Sequence, residues 1–457
     1  MRNELPPDFV ARSRALLGDG YSLLEAALQA EATVSVRINR DKNPEAPSAE
    51  GVPWCETGYY LPGRIAFTAD PLFHAGAYYV QEASSMFLEQ AVKQYIKEPV
   101  RCLDLCAAPG GKSTHLCSIL PENSLLVSNE VIRSRARILA ENLVKWGNPN
   151  VIVTRNDPAD FGLLTHFFDF ILADVPCSGE GMFRKNPGSA AEWSVSNVSL
   201  CAARQQRILR DVWNALKPGG LFVYSTCTYN TEENEENLSF LVEKLGAEPL
   251  PLLPQAEWQV TSALKYAYPA CRFFPHQSRG EGFFMAVVRK RPGNRAEERS
   301  LYASGKEKRK QPSGAQSALF GEVKRRLLHP DNFLIGQSGH WIQAFPVGQA
   351  DAGRFLAERL CPVSAGLCLG EIKGNDLLPA HALAMSRELN RDSFAAVALS
   401  REEAIRYLRK ETLLLPGEKG YALVCYKDLP LGFVKRLGNR ANNLYPQEWR
   451  IRSSHYG

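Results

Sequence analysis

The 457-residue sequence has no run approaching the roughly 18 consecutive apolar residues that a membrane helix needs, so no membrane association is expected. It has no C-x₂-C and no H-x₃₋₅-H pair, so the usual zinc spacings are missing and no metal is expected. No G-x-G-x-x-G is present, which argues against a dinucleotide site. Residues 1–10, MRNELPPDFV, contain two acids and two prolines and no apolar h-region, so an export signal is not expected. Without one, the 11 cysteines point to free thiols in a reducing, cytoplasmic setting. Charged residues are a modest 23%.

What is present is an ordinary globular balance, 45% hydrophobic, over a length that suggests about three folding units. The net charge of +5 is unevenly placed. Residues 291–457 hold 26 lysines and arginines against 17 acids, whereas residues 1–290 hold 28 against 32. A basic C-terminal third suggests a polyanionic partner, though a basic surface without function has the same look. Residues 1–98 open with a helical pattern and a short strand, Ser35–Asn39, and residues 81–96 carry apolar positions at helical spacing. Short apolar runs at Cys102–Leu105, Leu125–Ser128, Val151–Thr154, Phe170–Ala173 and Leu221–Ser225 read as strands buried on both faces. Helical patterns such as Arg135–Trp146 and Cys201–Leu216 lie between them, so residues 99–290 read as a doubly wound α/β domain. Residues 291–314 are rich in charge, glycine, proline and serine and read as a linker; residues 315–457 read as a separate region.

The first strand of the α/β domain runs into Cys106-Ala107-Ala108-Pro109-Gly110-Gly111-Lys112 and then a helix. Glycine there permits close backbone approach to a ligand, and the helix start offers free N–H groups. A nucleoside triphosphate fits poorly, because the first glycine of G-x-x-x-x-G-K-[ST] falls on Cys106. S-adenosylmethionine fits better, since it needs one close backbone approach and no phosphate wrap. Glu130 ends the second strand, 19 residues beyond Gly111, where a carboxylate can accept both ribose hydroxyls. Asp157 follows the third strand and Asp174 ends the fourth. Singly, each acid could be a helix cap; as a set they converge on the carboxyl-end crevice of an open sheet.

The fourth strand continues into DVPCSGEGMFRK, residues 174–185, and the fifth ends in STCTY, residues 225–229. Adjacent strand ends would bring Cys177 and Cys227 together. Methylation of a pyrimidine at carbon 5 has a use for this: a thiolate adding at carbon 6 turns carbon 5 into an enamine-like nucleophile. An acid such as Asp174 can assist at ring nitrogen 3. One thiol suffices for addition, so a second suggests a role in release, and chemistry alone does not say which cysteine attacks. The remaining thiols Cys55, Cys102, Cys117, Cys201, Cys271, Cys361, Cys368 and Cys425 read as small buried hydrophobes.

CAAPGGK at 106–112, DVPCSGEGMFRK at 174–185, STCTYNTEENEENL at 225–238, RFFPHQSRGEGFFMA at 272–286 and QEASSM at 81–86 occur in one order along the chain. On these segments the sequence resembles the Sun/RsmF-type RNA cytosine-5 methyltransferases. The GEGMFRK extension and the tail LGFVKRL at 431–437 through NNLYP at 442–446 resemble the RsmF subgroup. The resemblance implies a Rossmann-like class I methyltransferase domain over residues 99–290, with a helical and ferredoxin-like N-terminal α/β extension over 1–98. It also implies a PUA-like RNA-binding β-barrel over 391–457 and leaves 315–390 as a subgroup-specific domain. It further implies that Cys227 is the nucleophile, that Cys177 promotes release, and that Asp174 lies near the target base. S-adenosylmethionine would be held by Cys106–Lys112, Glu130, Asp157 and Asp174.

The implied substrate is cytosine in 16S RNA of the small ribosomal subunit, acted on by a monomer. Lys185, Lys435, Arg436 and Arg440 would meet RNA, with Arg450 and Arg452 nearby and Tyr445 and Trp449 interleaved. Two alternatives remain at this level: the same chemistry on transfer RNA or another RNA, and a non-catalytic ribosome-assembly factor that binds RNA.

Overall fold

A computed structural model describes residues 4–292 and 314–452, apart from positions 44, 46, 64 and 375. Most of the expected linker, with its basic cluster Lys306, Lys308, Arg309 and Lys310, lies outside the described residues. Two helices, Pro7–Leu17 and Tyr21–Gln29, open the chain. Strands β1 (Val34–Ile38), β2 (Gly58–Leu61) and β3 (Tyr78–Val80) follow and form an antiparallel sheet in the order β2-β1-β3. The sheet has three strands where a ferredoxin-like extension calls for four, and the described residues between β1 and β2 contain no helix to carry a crossover. The helical stretch expected over 81–96 narrows to Leu88–Tyr95, preceded by a 3₁₀ turn at Ser84–Phe87.

The central sheet contains β4 (Arg101–Asp104), β5 (Leu125–Asn129), β6 (Val151–Thr154), β7 (Phe168–Asp174) and β8 (Leu216–Thr226) as parallel neighbours. Their order is β8-β7-β4-β5-β6, so the chain leaves β4 in both directions and a switch point opens at its carboxyl end. Residues alternate between faces. Cys102, Leu126, Leu172 and Val223 pack into one apolar layer, and Leu103, Val127, Ile171 and Phe222 into the other. The helix expected at Arg135–Trp146 begins two residues earlier, at Arg133, and the helix expected at Cys201–Leu216 runs Val195–Val212. Ser194 caps its start by accepting from the Asn197 N–H, and Leu216 already belongs to β8. Strands β9 (Ala247–Leu250), β10 (Cys271–Phe273) and β11 (Phe283–Lys290) close the β8 edge, all antiparallel.

The region after the linker is not separate from this sheet. It contains β12 (Phe333–Ser338), β13 (Trp341–Pro346), β14 (Pro362–Ala365), β15 (Leu367–Lys373) and β16 (Asp376–Pro379). β14 pairs antiparallel with β6 and becomes the far edge of the central sheet. Helix Ala350–Arg359 adds Ala352 and Leu356 to the apolar layer under Phe167 and Phe168. The rest forms the sheet β12-β13-β15-β16. The C-terminal strands β17 (Ala395–Ala398), β18 (Gly420–Tyr426), β19 (Leu429–Arg436) and β20 (Ala441–Asn443) form a second four-stranded sheet. Ile342, Leu369, Leu423 and Phe433 share one core, so the two sheets bury each other. No helix among the described residues is long and apolar enough to cross a membrane.

Candidate active site

The loop after β4 is turned by a cis Ala108–Pro109 bond and by Gly110, whose φ of 114° lies in the left-handed region that favours glycine. Helix Gly111–Ile119 starts there. Arg135 donates to the Ala108 carbonyl and Asn142 to the Pro109 carbonyl, both at 2.8 Å, which pins the loop to the helix over β5. Behind the loop, Ser113 Oγ donates to Asp104 Oδ2 at 2.6 Å. Burial pushes the Asp104 carboxyl up to about 7, and its Oδ1 has no hydrogen-bond partner among the described residues. Burial likewise raises the Cys106 thiol.

Glu130 stands at the end of β5, 4% exposed, accepting from the Ile132 N–H at 2.9 Å and facing Arg135 at 3.2 Å. Asp157 follows β6, is half exposed, and caps the short helix Pro158–Gly162 through the Ala159 N–H at 3.1 Å. Asp174 is the last residue of β7, in register with Ser225 of β8, whose Oγ donates to it at 2.7 Å. The Lys112 ammonium donates to the other Asp174 oxygen at 2.8 Å. Burial alone would lower this lysine, but the Asp174 carboxylate, its hydrogen bond and the nearby Cys227 outweigh it and raise the group above the usual lysine value. All four expected elements therefore lie at one edge of the sheet. The set fits S-adenosylmethionine in its chemistry: a glycine turn open to close approach, an enclosed carboxylate for hydroxyls, and Asp174 for an ammonium.

Cys227 directly follows β8 and Cys177 lies three residues beyond β7; their sulfurs are 3.1 Å apart. The hydrogen bond to Cys227, then burial, raises the Cys177 thiol well above its ordinary value. Both loops are held by residues that sequence reasoning passed over. Glu233 accepts from the Ser178 N–H at 2.9 Å, from Gln205 at 2.8 Å and from Asn230 at 2.8 Å. Glu180 accepts from the Tyr229 and Asn230 N–H groups at 2.7 and 3.0 Å. The Gly181 N–H donates to the Cys227 carbonyl at 2.9 Å, and a Cβ at Gly181 would sit 2.8 Å from that oxygen, so only glycine fits. Arg272 and Glu235 form a buried two-pronged pair, and Arg272 also donates to the Tyr229 carbonyl at 2.7 Å. The available signal was that Glu180, Asn230, Glu233 and Glu235 all lie inside the two cysteine motifs.

The expected RNA contacts fare unevenly. Lys435 donates to Asp376 at 2.6 Å, and Arg436 lies against Gly417 with a buried Nε that has no partner among the described residues. Lys185 faces Glu281 at 3.9 Å, while Arg440 is exposed. Tyr445 is fully buried and Trp449 packs on His381, so these aromatics serve the core rather than a stacking surface. Cys361 is exposed rather than buried, because it lies just before the edge strand β14.

A Rossmann-like sheet with a glycine turn, strand-end acids and a cysteine pair at one edge defines an S-adenosylmethionine-dependent RNA methyltransferase. Profiles of three kinds match in chain order: the N-terminal domain of 16S rRNA methyltransferase RsmF at residues 5–83, 16S rRNA methyltransferase RsmB/F at 94–289, and the methyltransferase RsmF PUA domain at 394–451. The ribosomal RNA small subunit methyltransferase F of Enterobacter sp. (strain 638) is 31% identical over 97% of this chain and 95% of its own length. That of Citrobacter koseri is 32% identical over 97% and 96%. Among solved structures, a methyltransferase homolog protein from Pyrococcus horikoshii aligns with a TM-score of 0.52 at 30% identity, over 62% of this chain and 94% of that one. NSun6 from the same organism, solved with SFG, shares the fold at a TM-score of 0.54 and 19% identity, over 63% of this chain and 99% of that one. The chain belongs to the RsmB/F family, in its RsmF branch.

Proposed function

We propose that the protein methylates carbon 5 of cytosine in small-subunit 16S ribosomal RNA through a covalent bond from Cys227. The observation that carries this reading is the 3.1 Å approach of Cys177 and Cys227 at the strand ends that also carry Asp174. S-adenosylmethionine, when bound, supplies an electrophilic methyl group at this edge. The Cys106–Lys112 turn, Glu130 and Asp174 would hold it, with Asp157 at the rim. Val131 and Ile132, 51% and 50% exposed beside Glu130, offer an apolar face to an adenine ring.

Cys227 adds to carbon 6 of the flipped base, and the Sγ–C6 bond pushes electron density to carbon 5. Ring nitrogen 3 takes up a proton as the Cys227 thiol loses one, and the Asp174 carboxylate, fixed by Lys112 and Ser225, accepts from that N3–H and stabilises the added state. Once carbon 5 carries the methyl group, its proton passes to solvent water, the C5–H electrons restore the C5=C6 double bond, and the Sγ–C6 bond breaks so that Cys227 leaves as a thiolate. The Cys177 S–H is placed to hydrogen-bond that sulfur and ease its departure. The relatives' names support the ribosomal substrate, and the match to an RsmF PUA domain supports RNA as the partner. Bisulfite sequencing of ribosomal RNA from a strain lacking the protein tests the reading: one or more 16S cytosines should lose protection. An unchanged 16S profile would refute it.

A further inference from the structure

We propose that the joint between the catalytic sheet and β14 forms a phosphate-binding cleft for the RNA backbone, with Arg133, Arg137 and Arg155 as its cationic walls. The proposal rests on the RNA-methyltransferase reading and adds a binding surface to it. Arg133 and Arg137 project one turn apart from the start of helix Arg133–Trp146, and Arg155 follows β6. With Cys361, Pro362 and Val363 they line one open cleft, and among the described residues no acid lines it. All three arginines are exposed, and none has a side-chain hydrogen bond or ion pair to any described residue. Other arginines nearby are occupied: Arg135 by Glu130 and the Ala108 carbonyl, Arg207 by Asp157 and Asp211.

The opposite wall is fixed in place. The Arg155 N–H donates to the Cys361 carbonyl at 3.0 Å, the Cys361 N–H donates to Asn156 Oδ1 at 2.8 Å, and β14 then pairs with β6. Three guanidinium groups kept together without a counter-ion repel one another, so the arrangement is relieved by an anion with repeated charges. Arg155 lies at the same carboxyl edge as the cysteines. Three to four strand spacings separate β6 from β7 and β8, roughly 14–19 Å, a distance that a bound RNA strand can span. By contrast Lys435, expected to grip RNA, already has Asp376. The β14 segment thereby gains a role: it lengthens the sheet and builds one side of the RNA track.

The test uses the full-length protein, a 16S ribosomal RNA transcript, and the R137Q/R155Q double variant, both exposed positions away from the cofactor turn. The variant should bind the transcript roughly tenfold more weakly, with the slope of log affinity against log salt reduced by about 2. S-adenosylmethionine affinity should be unchanged, and turnover at saturating RNA should stay within about twofold of wild type. Unchanged RNA affinity and slope would overturn the cleft while leaving the methylation reading in place, and would turn attention to a protein partner for this face. Wild-type protein that binds the transcript with the full salt slope yet transfers no methyl group would instead overturn the cytosine-5 reading and leave the cleft standing.

Discussion

The sulfurs of Cys177 and Cys227 lie 3.1 Å apart, on loops that leave two neighbouring parallel strands in register at Asp174 and Ser225. The hydrogen bond between them, with burial, keeps the Cys177 thiol protonated. The two thiols are thereby in direct contact at one strand edge, which is what the proposed division into attack and release needs.

The Lys112–Asp174 pair leads to the first prediction. Asp174→Asn keeps the acceptor for Ser225 but removes the charge that Lys112 answers. Turnover should fall by about 10²–10⁴, the range for loss of an acid–base group, while thermal stability changes little. Single-turnover methylation kinetics check this; a loss under tenfold would remove Asp174 from the chemistry.

Glu233 holds both cysteine loops at once, so Glu233→Gln should act on stability and activity together. One of its two oxygens would become an N–H group facing the donors of Ser178, Gln205 or Asn230. Urea unfolding should show a loss of about 1–3 kcal/mol, because buried donors are left unanswered. The methylation rate should fall more than tenfold, since small displacements of a nucleophile are costly. A rate equal to wild type would show that the clamp does not position Cys227.

Asp104 supplies a pH test. Its folded carboxyl sits at about 7, raised by burial, against about 3.9 in an unfolded chain. Between those values the folded state binds a proton that the unfolded state does not. Its contribution to stability is therefore full below about pH 4 and is lost as pH rises through 7. Asp104→Asn should flatten that decline, gaining on wild type at pH 8 relative to pH 5 in thermal unfolding. Parallel curves at the two pH values would contradict the assignment.

The strand ends were legible because parallel strands buried on both faces leave short apolar runs, and the acids at their ends break those runs. Cys177 and Cys227 were legible as neighbours because β7 and β8 are adjacent in this topology. Glu233, just before a helix, and Gln205, in the middle of one, were not legible as buried: polar residues there look solvated until their partners from other elements are in place. The pairing of β14 with β6 was hidden for a related reason, since it joins segments about 200 residues apart and leaves no local periodicity. Lys435 looked free because Asp376 meets it from the other C-terminal sheet.

Only one of the two cysteines can bond to the base in the proposed chemistry. The direct measurement is to incubate Cys177→Ala with 16S transcript and S-adenosylmethionine, digest the product, and map any RNA-linked peptide by mass spectrometry. The prediction is a stable adduct of methylated cytosine on Cys227, absent from the Cys177→Ala/Cys227→Ala double variant. An adduct on any other residue, or full methyl transfer by Cys227→Ala, would contradict it.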